Sequence, residues 1–490
     1  MKDKLNHILQ KPFFLFLLPI FFLLHALLQF FNRILIMDAV ILLFIYTGVS
    51  IIIVFLFWLF YRNVTKAALI TFFLMSCNFF FGSVYDFLKE HFNHAFISKF
   101  SFILPALLLL ILILIVYFKR SNRSFYRTAK YLNLLLLLLI TIDAGTLVFR
   151  LTDSKGPAVS ELSGRLTNCD TCAKPDIYLI ILDEYAGKTE LKDLFAFDNS
   201  GFENELQSRG FHIIENSTSN YNQTIYSMAS LFNMDYIHHL SKPALMNYPD
   251  ILKCRELLAN NNLVACLKKN QYSINNYSFF DLAEKKKVVQ NIFRTNRALL
   301  NHQTLIERFI YSFGARIVSK NKLITFMKTE LSDNKKIESL TRQVVFSKDP
   351  QPKFVYAHFN LPHWPYFFTS TGTEIPVEKL TEEFKMDKKA YIGYLQYANE
   401  KLLALVDFIR KNSPRPPVIM LLGDHGYRQL NDDVDEKYHF MNLNAVYFPD
   451  ENYTAFYDGM TNVNQFRVTL NSLFGQKLPL LKDSTSFLKE

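Results

Sequence analysis

Cysteine is scarce in this chain: there are five in 490 residues, with a single CxxC pair at Cys169 and Cys172. Without a second such pair a four-cysteine structural zinc site is excluded, and so few cysteines cannot staple a secreted mini-protein. Cys169 and Cys172 are expected to form either a small covalent clip or a pair of plain thiols. Cys254 and Cys266 form a further pair whose spacing decides nothing, and Cys77 falls in an apolar stretch. Internal repeats and low-complexity tracts are absent as well.

Acidic residues are nearly missing from the first 150 positions, which hold 14 Lys+Arg against 5 Asp+Glu, whereas the remaining 340 residues hold 40 against 39. The net charge of +10 is therefore N-terminal and does not indicate a nucleic-acid partner. What fills that region is hydrocarbon. Five apolar stretches, at about 13–31, 35–61, 67–87, 101–118 and 131–149, each approach the ~20 residues that a bilayer-spanning helix needs. No small-residue cleavage site follows the first, so a cleaved signal peptide is not expected. Polar side chains are sparse within the stretches, Asp38 and Asp143 being among the few, which weighs against a transporter.

The loops set an orientation. Lys2, Lys4 and Lys11 precede the first stretch, Arg62 and Lys66 separate the second and third, and five basic residues between Lys119 and Lys130 separate the fourth and fifth. The alternate loops hold only Arg33, Lys89 and Lys99. The positive-inside rule then predicts a cytoplasmic N-terminus, five spans over 1–150, and everything after residue 150 on the outer side.

Residues 151–175, with Gly156, Pro157 and Gly164, read as a linker. From Asp176 onward the pattern alternates. Strand-length apolar runs occur at 176–184, 211–216, 353–360, 417–424 and 443–449, and a helical pattern of apolar residues three and four apart covers 390–411. Continuous apolar strands separated by helices predict an α/β domain over 176–490 with a mostly parallel central sheet. The 285–345 region reads as helices plus a polar surface insertion, and it contains no motif.

Two of those strands end in ligand-type side chains: Asp183 and Glu184 after IYLIIL, Asp424 and His425 after VIMLLG. Ligands gather at the carboxyl edge of such a sheet. Asp183, Asp424 and His425 brought to that edge would offer two carboxylates and an imidazole, a set suited to Zn²⁺ or Mn²⁺ with a position left open. Taken singly, either pair is also compatible with a plain helix cap or turn. Between them, STSNYNQTIYSM turns from polar to helical at Thr224, which places a hydroxyl at a helix N-terminus, where negative charge is stabilised. Thr224 is the candidate nucleophile, with Ser227 one turn on as the competing hydroxyl and an ordinary N-cap as the bland alternative.

With these motifs in place the chain resembles the membrane-anchored sulfatase-like enzymes of the alkaline phosphatase superfamily, among them lipoteichoic acid synthases and lipid A phosphoethanolamine transferases. The resemblance implies that Asp183, Glu184, Thr224, Asp424 and His425 bind a divalent metal, Zn or Mn. It implies that His363 in LPHWPYFF and His439 in EKYHFMN contact phosphate or act in catalysis, while His358 stays a core or supporting residue. Sulfatases proper carry Cys or Ser in Cys/Ser-x-Pro-x-Arg; TIYSM has Thr and lacks the Pro and Arg, which turns the expectation from sulfate esters to phosphoryl chemistry through a phosphothreonine. The implied function is transfer of a phosphorylated headgroup, phosphoethanolamine or phosphoglycerol in type, from a phospholipid donor to a lipid or glycan acceptor, outside a bacterial cytoplasmic membrane. A phosphodiesterase or phosphatase of the same fold and a non-catalytic envelope protein are the alternatives.

Overall fold

The computed structural model describes residues 10–29, 36–92, 96–152, 162, 164, 166–238, 248–289, 300–310, 320–380, 383–429 and 434–489, so much of the predicted 151–175 linker lies outside the described residues. The chain divides into two compact units, Met1–Lys155 with Ile292–Val318, and Gly156–Asn291 with Ser319–Glu490.

The first unit is helical: α1 (Phe14–Gln29), α2 (Ile36–Tyr61), α3 (Val64–His91), α4 (Phe100–Arg120) and α5 (Tyr126–Thr152). α2 to α5 are long and apolar enough to cross a bilayer; α1 is apolar but only 16 residues long. Large apolar side chains such as Phe44, Leu109 and Leu138 point outward, as a lipid solvent requires. Asn133 on α5 donates to the Lys11 carbonyl, and His25 lies 3.1 Å from Asp143, so α1 runs parallel to α5. The Tyr61 hydroxyl donates to the Ile115 carbonyl and Lys66 Nζ to that of Ser121. The basic ends of α2, α3 and α4 therefore meet on one side.

The second unit holds β1 (Ile177–Leu182), α6 (Lys188–Phe195), α7 (Ser200–Ser208), β2 (His212–Ile213), α8 (Thr224–Asn233), α9 (Tyr248–Ala259), α10 (Asn262–Lys269) and β3 (Ser273–Tyr277). There follow α11 (Lys320–Val345), β4 (Lys353–Phe359), α12 (Lys388–Asn412), β5 (Val418–Gly423), β6 (Asn444–Tyr447) and α13 (Asn462–Phe474). The sheet order is β2-β6-β5-β1-β4-β3. β1 pairs parallel with both β4 and β5, and β3 with β4, while β6 runs antiparallel to β5 and β2. The sheet is thus mostly parallel but mixed.

Burial explains which runs became strands. β1, β4 and β5 are buried at every position, the state their unbroken apolar sequences require. The 211–216 run shrinks to a two-residue edge strand, whereas β3 (SINNY) alternates in burial at the other edge. At the amino edge the buried Asp176 carboxylate takes Lys353 Nζ at 2.7 Å and Arg415 Nη1 at 3.5 Å, fixing the starts of β1 and β4 against the chain that leads into β5. Cys169 and Cys172 form a disulfide; Cys254 and Cys266 are free and buried.

Candidate active site

Strand register brings the site residues together. Leu182 of β1 pairs with Gly423 of β5 on one side and Phe359 of β4 on the other, so Asp183, Asp424 and Asn360 emerge next to one another at the carboxyl edge. The chain turns sharply there. Glu184 adopts a left-handed φ of 62°, and its N–H donates to Asp424 Oδ1 at 2.9 Å, as does the N–H of His425. A Cβ on Gly426 would stand 2.2 Å from the Tyr438 carbonyl oxygen and 2.8 Å from Glu190 Oε2, so only glycine lets this turn close.

Thr224 opens α8, preceded by Gln223 in extended conformation. Its hydroxyl is buried and lies 3.1 Å from Nε2 of His425. Ser227 is committed elsewhere: its hydroxyl donates to the Asp424 backbone carbonyl at 2.6 Å. The first turn of α8 and the turn after β5 are thereby fastened to each other.

Asp183, His358 and Asp424 each bring one ligand atom within 4.8 Å of the others, all three buried. His425 Nε2 stands 3.2 Å from Asp424 Oδ2 and 3.9 Å from Asp183 Oδ1. His358, read from the sequence as a core or supporting residue, sits at the heart of this group. Its Nδ1 is held by the Tyr356 hydroxyl at 2.7 Å, which leaves Nε2, buried and without a hydrogen-bond partner, as the atom free to ligate.

Glu184 takes a different place. Its Oε1 accepts from the Arg428 N–H at 3.1 Å and from Gln429 Nε2 at 2.8 Å, while its Oε2 lies 3.9 Å from His363 Nε2. The carboxylate is thus turned toward His363 and Arg428 and stands outside the Asp183–His358–Asp424 group. His363 follows from the loop after β4, its N–H bound to the Asp183 carbonyl. His439 comes from the segment before β6, has its ring 5.4 Å from that of Phe487 in a tilted pair, and interacts electrostatically with both His425 and Glu184. The sequence reading passed over Arg428, three residues after His425, which reaches Gln223 Oε1 at 2.6 Å. The signal lay in the GDHGYR string itself, a guanidinium close behind the Asp424–His425 pair.

The electrostatics suit a divalent cation. Burial, then the charges of Asp424 and Glu184, drive the Asp183 carboxyl well above its ordinary range, and burial also raises Asp424. Asp183 Oδ1 and Asp424 Oδ2 are buried without hydrogen-bond partners. Burial holds the imidazoles in the neutral form that ligates: His358 is lowered to about 3, and His425, His363 and His439 are lowered too. Orphaned carboxylate oxygens beside neutral imidazole nitrogens are a donor set that could hold a divalent cation.

The family model described as Sulfatase matches residues 192–468, more than half of the chain. No curated protein matches significantly. Among solved structures, the chain is similar to the C-terminal periplasmic domain of EcEptC from Escherichia coli (12% identity, 66% of this chain and 93% of that chain, TM-score 0.40). It is similar to the soluble domain of lipooligosaccharide phosphoethanolamine transferase A from Neisseria meningitidis (10% identity, 63% and 90%, TM-score 0.39). A third is BT1596, a 2-O GAG sulfatase (15% identity, 64% and 73%, TM-score 0.36).

Proposed function

The chain belongs to the sulfatase family and is a sulfatase-like enzyme of the alkaline phosphatase superfamily, and from that membership we propose that it transfers a phosphorylated lipid headgroup, of phosphoethanolamine or phosphoglycerol type, through a phosphothreonine at Thr224. The observation that carries this reading is the Thr224 hydroxyl at a buried helix N-terminus, 3.1 Å from His425 Nε2. A Zn²⁺ or Mn²⁺ ion held by Asp183, His358, Asp424 and His425, with Thr224 beside it, would lower the pKa of the threonine hydroxyl and offset negative charge.

In the first half-reaction a bond forms between Thr224 Oγ1 and the phosphorus of the donor phosphodiester, and the bond from phosphorus to the diacylglycerol oxygen breaks. The proton released by Thr224 Oγ1 is taken up by His363 or His439, neutral before the step, and passed to that oxygen. The amides at the start of α8 and the Arg428 guanidinium face the phosphate oxygens, and Glu184 orients His363 and Arg428. In the second half-reaction an acceptor hydroxyl on an envelope lipid or glycan takes the phosphorus, the Oγ1–phosphorus bond breaks, and the acceptor's proton returns through the same histidine to Thr224 Oγ1. Thr224 in place of a formylglycine precursor favours phosphorus over sulfur.

The basic ends of α2 to α4 mark the cytoplasmic side, and α5 then delivers the catalytic half to the outer side of the inner membrane. Metal-loaded protein incubated with defined phospholipids should release diacylglycerol from phosphatidylethanolamine or phosphatidylglycerol, followed by mass spectrometry. Release from neither lipid, with the metal bound, contradicts the transferase reading.

A further inference from the structure

Residues 300–310 come from the C-terminal half of the sequence, yet they pack within the first unit. The Tyr46 hydroxyl donates to Asn301 Oδ1 at 2.6 Å, the Gly82 N–H donates to the Gln303 carbonyl at 2.8 Å, and Arg308 forms an ion pair with Asp86. These partners are not at helix ends. α2 and α3 are joined by Arg62 and Asn63 alone, so Ile36 and His91 lie together on the opposite side. At 1.5 Å per residue, Tyr46 is about 15 Å below the first of those ends and Gly82 about 13 Å below the second. α1 runs parallel to α5 and joins α2 at the Ile36 end, so α5 leaves the bundle on that same side. Residues 301–308 therefore lie in the part of the bundle toward the side on which α5 leaves it.

From His302 onward the polarity of the segment is inverted relative to a soluble protein, although Leu300 is fully buried. His302 and Thr304 are buried against the helices, while Ile306 and Ile310, one turn apart, are 61% and 52% exposed. On α3, Val84 and Phe87 are exposed, interleaved with the exposed Ser83, Asp86 and Lys89. Polar groups inward and isoleucines outward are what a hydrocarbon solvent selects. The fit is close: a Cβ on Gly82 would stand 2.2 Å from Gln303 Oε1 and 2.9 Å from Gln303 Cα.

We infer that residues 300–310 are a re-entrant membrane segment whose Ile306–Ile310 face contacts the acyl chains of the bilayer, extending the lipid-facing surface of the helices. This stands independently of the headgroup-transfer reading.

The test uses the full chain in phospholipid nanodiscs, with Cys77→Ser and either Ile306→Cys or, as an aqueous control, the exposed Leu480→Cys, each carrying a bimane label. The expected result is that bimane at 306 is quenched by nitroxide-labelled lipid and not by iodide, with the reverse at 480. Iodide quenching at 306 equal to that at 480 overturns the inference. Gly82→Leu should dislodge the segment and make position 306 iodide-sensitive. If position 306 in Gly82→Leu protein that still binds its metal keeps the wild-type quenching pattern, the proposed seating beside Gly82 is wrong.

Discussion

The Thr224 hydroxyl and the His425 ring, 201 positions apart in sequence, stand 3.1 Å from each other at the carboxyl edge of the sheet. One belongs to the start of a helix, where unpaired amides favour an anion, and the other to the turn after a buried strand. Ser227, one turn along α8, holds that turn in place through its bond to the Asp424 carbonyl.

The two hydroxyls should therefore separate cleanly. Thr224→Ala removes the nucleophile and should abolish turnover while leaving the fold and metal content intact. Ser227→Ala loses one buried hydrogen bond, worth about 1 kcal/mol. It should lower the melting temperature and reduce turnover only modestly. Comparable kcat losses in the two variants would remove the distinction.

Metal content should depend on His358 as well as on Asp424. Asp424→Asn and His358→Ala should each weaken Zn²⁺ or Mn²⁺ binding about tenfold or more. His212→Ala, whose ring stacks on Tyr453 in the second unit, should leave binding unchanged. The check is metal analysis after dialysis against a weak chelator. Full occupancy in His358→Ala would return that residue to a core role.

Much of the site was legible in the sequence because strand and chemistry are local signals at the same place: IYLIIL runs straight into Asp183, and VIMLLG into Asp424 and His425. His358 was not, because it lies inside an apolar strand and its proximity to Asp183 depends on the register that pairs Ile181 with His358. β3 was missed since Ser-Ile-Asn-Asn-Tyr is an edge strand with only alternate residues buried. The place of 300–310 in the first unit was illegible for a further reason: its partners Tyr46, Gly82 and Asp86 lie more than 200 residues away.

Gly426 should not tolerate a side chain. Gly426→Ala drives a Cβ into the Tyr438 carbonyl and the Glu190 carboxylate and must displace His425. A shift of about 1 Å in such a group costs on the order of 100-fold in rate. Steady-state kinetics would show it as a fall in kcat, and wild-type kcat in Gly426→Ala would mean that the turn relaxes without moving the ring.

Glu330, on α11, should make the metal-free protein less stable as pH rises. Burial, then the Asp333 charge, raises its carboxyl from 4.5 to about 8. Between those values the folded state retains a proton that the unfolded state has released, so stability falls with rising pH and levels off above about 8, by at most about 5 kcal/mol. Glu330→Gln should flatten this decline, seen as a smaller drop in melting temperature from pH 5.5 to 8.5 in chelator. An unchanged drop would place the pH dependence elsewhere.

The covalent role of Thr224 is open to direct inspection. Metal-loaded protein incubated with donor phospholipid and no acceptor, then acid-quenched and digested, should yield the peptide containing Thr224 with the mass of a phospho-headgroup, fragmentation placing it on Thr224. Thr224→Ala should carry no adduct. Diacylglycerol release from wild-type protein with no adduct on any peptide, or undiminished release by Thr224→Ala, would contradict a phosphothreonine mechanism.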